Sequence, residues 1–384
     1  LNNAGERIVL EDALGNEIHR FRYRDSWFDV TDGLGHTLTI VDTSLDALTA
    51  WSEKSSWMAS SISGGTPGTG DDGNVPLADA IIINEVLAHS HDSDPDWIEL
   101  YNTSEAAIDV SGWYLSDDAD VLQKYVLPAE TIVPALGYLV VYEDVHFGNN
   151  DNPDALIPFA LSSNGESVYL SSGADGALTG YRTEESFGAS PRDVAFGIYI
   201  TSDGGDKFVA MSENTPGAAN AMPLLGDVIM TEIMYDPASN DQNGEYIELY
   251  NTTASTIVLG PETGASWRFT NGVEYNFPVG ATISAFGRVI VARDPDTFNG
   301  LYTVSSGVGV YGPYGGRLSD GEGLELSRPA ELEEGQGQFF IRTDHVKYDS
   351  NEPWPTTPNG QGDALQRADG PDDPRPYTAF CVAR

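Results

Sequence analysis

Residues 81–103 read IIINEVLAHSHDSDPDWIELYNT, and residues 228–252 read VIMTEIMYDPASNDQNGEYIELYNT. Each runs from an apolar segment through a glutamate and a polar loop to aromatic-Ile-Glu-Leu-Tyr-Asn-Thr. Side chains alternate faces along an extended chain. In WIELY, Trp97, Glu99 and Tyr101 therefore share one face and Ile98 and Leu100 the other. The stretch reads as two strands joined by a variable loop. GYLVVYED (137–144) and GRVIVARD (287–294) read as a matching pair of core strands further on. Turn clusters of Gly, Pro, Asn and Asp separate such strands about every 8–12 residues, the pattern of a β-sandwich or barrel. The one stretch with helical character is SLDALTAW (44–51).

A second signature occurs three times, as LNNAGERIVL (1–10), LSSNGESVYL (161–170) and LSDGEGLEL (318–326). DSWFDVTDGLGHTLTIVD (25–42) aligns without gaps on EPWPTTPNGQGDALQRAD (352–369), with Trp27 on Trp354. GGTPG (64–68) and NTPG (214–217) each close a back half. The order is back, front–back, front–back, which is the signature of a tandem array. Gly- and Pro-rich stretches at 63–79 and 215–227 read as joints. The expected units are a partial one over 1–68 and two fuller ones over 80–222 and 227–384. The chain opens on LNNAGERIVL and stops at PYTAFCVAR, short of a third Thr-Pro-Gly, so it reads as a piece of a longer protein.

These signatures resemble the lamin tail domain, an immunoglobulin-like sandwich. INEV…DWIELYNTSEAAIDVSGWYLSD, GYLVVYED, LSSNGESVYL and the closing TPG carry the likeness in the first copy. TEIMYDP…EYIELYNTT, RFTNG, FGRVIVARD and LSDGEGLEL carry it in the second, where ETGASWRFTNG (262–272) replaces SGWYLSD. The resemblance implies an all-β fold of tandem sandwiches, two nearly complete and one partial. It does not imply one function, because such domains occur in nuclear lamin tails and in large bacterial extracellular proteins. The acidic, tandem character resembles the latter group.

Composition narrows the function classes. Across 384 residues there are 59 acidic and 19 basic side chains, a formal charge of −40. That charge repels nucleic-acid phosphates and anionic membranes and favours solubility. Only four of the basic residues are lysine, which suits a secreted or salt-exposed surface. Cys381 is the single cysteine, so no intrachain disulfide or multi-cysteine metal site can form. No apolar run reaches the roughly 18 residues of a membrane helix.

Three kinds of chemistry compete for the acidic stretch. His89 and His91, followed by Asp92, Asp94 and Asp96, could enter a transition-metal shell. The second copy has no histidine there, which favours a solvated loop. Calcium needs several oxygen ligands in a softer geometry. Glu85, Asp96 and Glu99 recur as Glu232, Glu245 and Glu248, and these six are the candidate calcium ligands; calcium is the sole cofactor expected. Alternation can set Glu85 and Glu99 face to face on neighbouring strands, where two bare carboxylates repel. A glycosidase acid–base pair needs a sugar cleft between its carboxyls, and duplication of the pair argues for scaffold instead. Neither a nucleophile elbow nor a phosphate-binding loop is visible. Asn102 and Asn251 open N-glycosylation sequons, but an Asn there can equally close the turn after a strand. Trp27, Trp97, Trp113, Trp267 and Trp354 read as core.

The expectation is a non-enzymatic extracellular or cell-surface protein with a structural or adhesive role in a filament, stalk or surface layer. The alternatives are an accessory region of a larger secreted enzyme and a calcium-dependent carbohydrate-binding module. Expected partners are neighbouring copies, other extracellular modules or polysaccharide, with no nucleic acid and no membrane insertion.

Overall fold

The computed structural model describes residues 5–32, 35–41, 43, 50–62, 64–71, 80–91, 94–200, 206–238, 241–332, 337–351, 354–367 and 380–382. The chain divides into two compact units. One comprises 1–187, 195–197 and 214–220, and the other 188–194, 198–213 and 221–384.

The first unit opens with a hairpin of β1 (Arg7–Glu11) and β2 (Glu17–Arg22). Asp12 closes its turn, accepting from the backbone amides of Leu14 and Asn16 at 2.8 Å each. A second pair, β3 (Leu38–Ile40) and β4 (Trp57–Ala59), follows. The helical expectation at 44–51 falls almost wholly outside the described residues. Phe21, Trp27, Trp51 and Trp57 pack as an aromatic cluster between the two pairs.

Next come β5 (Ile81–Leu87), β6 (Trp97–Asn102), β7 (Ile108–Asp109), β8 (Tyr114–Ser116), β9 (Tyr125–Val126), β10 (Ile132–Val133) and β11 (Tyr138–Tyr142). They are followed by β12 (Gly165–Ala174), β13 (Ala177–Gly188), β14 (Phe196–Ile200) and β15 (Asp206–Ala210), of which β15 and residues 198–200 of β14 are grouped with the second unit. One sheet has the order β11-β6-β5-β14-β15, the other β13-β12-β8-β9, and β10 pairs with β7. Ile83, Ile98, Leu100, Leu115, Val168 and Leu170 are fully buried. Burying one such side chain is worth about 1.5–3 kcal/mol. The partial segment lies against β13, where a Cβ on Gly180 would stand 2.2 Å from the Ser60 carbonyl oxygen. Only glycine lets the two backbones approach so closely.

The second unit repeats this plan with β16 (Val228–Met234), β17 (Tyr246–Asn251), β18 (Ile257–Val258), β19 (Arg268–Asn271), β20 (Thr282–Ile283) and β21 (Arg288–Ala292). Then follow α1 (Pro295–Leu301), β22 (Gly309–Tyr311), β23 (Gly321–Pro329), β24 (Phe340–Asp349), β25 (Leu365–Arg367) and β26 (Phe380–Val382). Its sheets are β22-β21-β17-β16-β25-β26 and β19-β23-β24, with β18 paired to β20. Val228, Met230, Ile247, Leu249, Trp267, Leu324 and Leu326 form the core between them. The expected strands at 137–144 and 287–294 are β11 and β21, each antiparallel to the WIELY-type strand. Hairpin-then-pair recurs three times, as β1–β2 with β3–β4, β12–β13 with β14–β15, and β23–β24 with β25–β26.

Two features of the second unit were not expected. Helix α1 starts at Asp294, whose carboxylate accepts from the Thr297 amide at 2.7 Å, with Pro295 at the first helical position. This is an ordinary helix start. Strand β22 then adds to β21 in parallel, an edge that β11 offers to no strand among the described residues.

Candidate functional site

Glu85 lies directly opposite Glu99, and Glu232 directly opposite Glu248. Both β5 and β16 carry a register slip just before the glutamate, at Asn84 and Thr231. A bulge re-aims the side chains that follow it, so the facing pair is built by the same backbone device twice.

In the first unit the pair is sealed. Glu85 and Glu99 are both 0% exposed. The loop that follows β15 covers them. Glu85 accepts from the Thr215 amide at 3.1 Å and from the Thr215 hydroxyl at 2.7 Å. Glu99 accepts from the Gly217 amide and, at 2.7 Å, from the Asn84 side chain. Asn220 completes the closure with a 2.7 Å bond from Asn84 to its side-chain oxygen. The closing Thr-Pro-Gly is therefore a latch held by two buried carboxylates, and WIELY is buried on both faces rather than one. Burial raises the pKa of Glu85. Glu99 is pushed up to about 7, chiefly by burial and also by the charge of Glu85. Two like charges in one dry site favour keeping a proton on one of them.

In the second unit the same pair is half-buried and differently served. Glu232 accepts from the Tyr246 hydroxyl, and Glu248 from the Thr231 hydroxyl at 2.7 Å. Arg288 stands 3.6 Å from Glu248. Burial again raises the Glu232 pKa, with Glu248 adding to it.

Asp96 and Glu245 sit apart from these pairs. Asp96 accepts from the Ser90 amide at 2.8 Å, and burial raises its pKa. Glu245, 0% exposed, is bound by Arg293 at 3.2 Å, the Tyr314 hydroxyl at 3.0 Å and the Leu318 amide at 2.8 Å. The six candidate calcium ligands thus fall into separate places whose oxygens are largely taken by protein donors. Among the described residues no group of three or more His, Cys, Asp or Glu side chains is arranged to hold a metal ion. His89 is partly exposed and His91 exposed, and Asp92 lies outside the described residues.

Glu143 occupies in the first unit the place of Arg293 in the second, since each donates its amide to the carbonyl of Asp96 or Glu245. Burial raises the pKa of Glu143, with Asp96 contributing. Nearby Glu166 reaches about 7, again mainly through burial, while its carboxylate accepts from the Ser162 amide at 2.6 Å.

Neither facing pair makes a hydrolytic site. The first is closed to any substrate by residues 214–220. The second is tied to Tyr246, Thr231 and Arg288. A shallow cleft of about 750 Å³ on the second unit includes Arg268, Thr270, Glu274 and Asn276 in its wall, and among the described residues Glu274 is the one carboxylate lining it.

The sequon asparagines close turns. Asn102 is fully buried, donates to the carbonyls of Ala106, Val133 and Pro134 at 2.7, 3.1 and 3.0 Å, and accepts from the Ser104 amide at 2.9 Å. Asn251 does the same with Ser255, Ile283, Ser284 and Thr253 at 2.7, 3.2, 2.9 and 2.9 Å. Trp27, Trp97, Trp113 and Trp267 are buried, and Trp354 packs on the core.

The profile of the lamin tail domain family matches residues 75–183 and 223–329, more than half the chain. The chain belongs to the lamin tail domain family. The matches span β5 to the first half of β13, and β16 to the end of β23. They establish two tandem copies of an immunoglobulin-like module of a generally non-catalytic kind. No curated protein and no solved structure matches the chain significantly.

Proposed function

We propose that this chain is a non-enzymatic extracellular protein whose tandem lamin tail domains act as structural, adhesive or spacer modules in a filament, stalk or cell-surface layer. One observation carries the reading. The polar groups that recur between copies, the glutamate pairs and the turn asparagines, are spent on holding strands and loops together. Catalytic apparatus would leave reactive groups facing a substrate space. The net charge of −40 and the scarcity of lysine support the extracellular placement. Neighbouring modules, of this chain or of other extracellular proteins, are the partners this reading requires.

The test is electron microscopy of the native material, labelled with antibody against this chain. Filaments, stalks or a surface lattice carrying the label are the expected result. Label confined to dispersed intracellular particles refutes the reading.

A further inference from the structure

We propose that the cleft on the second lamin tail domain, beside its 267–277 hairpin, binds a neutral saccharide. The site stands on the geometry of the second unit alone; its use as an adhesive contact of the array rests on the reading above.

The two copies build this hairpin in the same register. In the first, β8 and β9 set Tyr114 opposite Val126, and the Leu127 amide donates to the Trp113 carbonyl at 2.7 Å. In the second, Arg268 lies opposite Asn276, and the Phe277 amide donates to the Trp267 carbonyl at 3.0 Å. Arg268, Glu274 and Asn276 thus stand where the first copy has Tyr114, Lys124 and Val126. The first copy's side chains are occupied: Tyr114 is 3% exposed, Val126 is half-buried, and Lys124 pairs with Asp117 at 2.5 Å. The second copy's are not. Glu274 and Asn276 are exposed, and no hydrogen bond or ion pair among the described residues takes up the side chain of either, or of Arg268. The Arg268 guanidinium is held instead over the Phe340 ring, 3.5 Å from its centre. Such a contact fixes a cation without using its donors.

A second feature peculiar to this copy meets the hairpin here. Strand β22 has no counterpart in the first copy among the described residues. The loop that follows it is tied to the hairpin by two backbone bonds between Glu274 and Gly315, at 3.0 and 2.9 Å. Hairpin and loop together wall the cleft of about 750 Å³, within the roughly 300–1,000 Å³ of small-molecule sites. Its wall offers a guanidinium, a carboxylate and a carboxamide, with Pro278 and Pro313 as apolar surface. Extended geometry spaces such groups about 7 Å along a strand and about 5 Å across the pair, the scale of the hydroxyls around a sugar ring. A hydroxyl both donates and accepts, so a sugar serves a cation, an anion and an amide side by side. The proline rings suit its C–H faces. One positive and one negative group balance each other, and the chain's charge of −40 repels acidic glycans. A shallow cleft leaves a small zwitterion hydrated, whereas a chain of sugars can run through it.

The experiment applies the full chain, fluorescently labelled, to a microarray of neutral glucan, mannan, galactan and chitin oligosaccharides, with uronic-acid and sialylated glycans alongside. Binding to at least one neutral class is expected. The Glu274→Ala/Asn276→Ala double variant should bind that class at least tenfold more weakly in calorimetric titration. Its melting temperature should be unchanged, because both side chains are exposed. No neutral glycan bound, binding confined to acidic glycans, or affinity unmoved by the double variant overturns the assignment. The filament or surface-layer reading would survive that failure, since the micrographs decide it separately.

Discussion

Raising the pH should loosen the first lamin tail domain by releasing its latch. Glu99 has its pKa raised from 4.5 to about 7 in the folded protein, mainly by burial and further by Glu85. A group that holds its proton more tightly when folded stabilises the fold while protonated. The contribution is therefore complete below pH 4.5 and is lost as the pH climbs through about 7. A shift of this size corresponds to at most about 2 kcal/mol between pH 5.5 and pH 8.5. Such a loss is large against the 5–15 kcal/mol stability typical of a domain. The amides of Thr215 and Gly217 donate to the two carboxylates, so their hydrogen exchange reports the latch directly. Urea titrations at pH 5.5 and 8.5, read by exchange mass spectrometry over 81–102 and 214–220, give the stability of this unit alone. Glu166, also near 7, titrates in the same window. The decisive quantity is thus wild type minus Glu99→Gln. The variant should lose most of the pH dependence and match or exceed wild type at pH 8.5. Equal pH dependence in both proteins would refute the reasoning.

Four further outcomes follow from the geometry. Asn102→Ala and Asn251→Ala should each cost about 3 kcal/mol or more in their own unit, measured by urea unfolding, because several buried backbone groups lose their partners at once. Mass spectrometry of protein made in a glycosylating host should find neither asparagine modified. Asp344, 6% exposed, is bound by Arg367 through both carboxylate oxygens at 3.1 Å and receives the Met230 amide at 2.7 Å. Asp344→Ala should destabilise the second unit by about 3–5 kcal/mol in the same assay, since it removes the buried carboxylate that joins Arg367 to the Met230 amide. Millimolar calcium, against chelator, should move neither melting temperature by more than about 1 °C, because a ligand stabilises only through binding the native state.

Much of the fold was legible because its signals are local or repeated. Period-two alternation around Glu99 and Glu248 marked the strands and allowed each glutamate to face its partner, while the bulges at Asn84 and Thr231 that complete the register were not legible. The turn role of Asn102 was legible because an Asn side chain reaches backbone groups a few residues away. The helix at 295–301 was written in Asp294-Pro295 and went unread, since the sequence pattern there is dominated by strands. The latch was not legible. Thr-Pro-Gly marked the end of a back half and the start of a joint, yet its contact with Glu85 spans 130 positions. Short-range pattern carries no information about which distant acceptors a turn will meet. The Arg293 partner of Glu245 was hidden for the same reason, and it separates Glu245 from the calcium set.

The two copies also show which part of the glutamate pair the fold holds constant. Bulge, register and acceptors are the same in both. The donors differ: Thr215, Gly217 and Asn84 in one, Tyr246, Thr231 and Arg288 in the other. A general acid and its base would require the reverse, because proton transfer depends on fixed partners at fixed distances. A mating surface has the opposite logic. Its acceptors stay in place while what lies across them changes, from a loop of the same module in one copy to local side chains in the other. Burying carboxylates is costly unless every oxygen is satisfied. That cost makes the closing segment specific: a loop lacking the threonine hydroxyl and the two amides would leave charge stranded beneath it. The pair thus restricts what may close the first lamin tail sandwich to a segment that brings those donors.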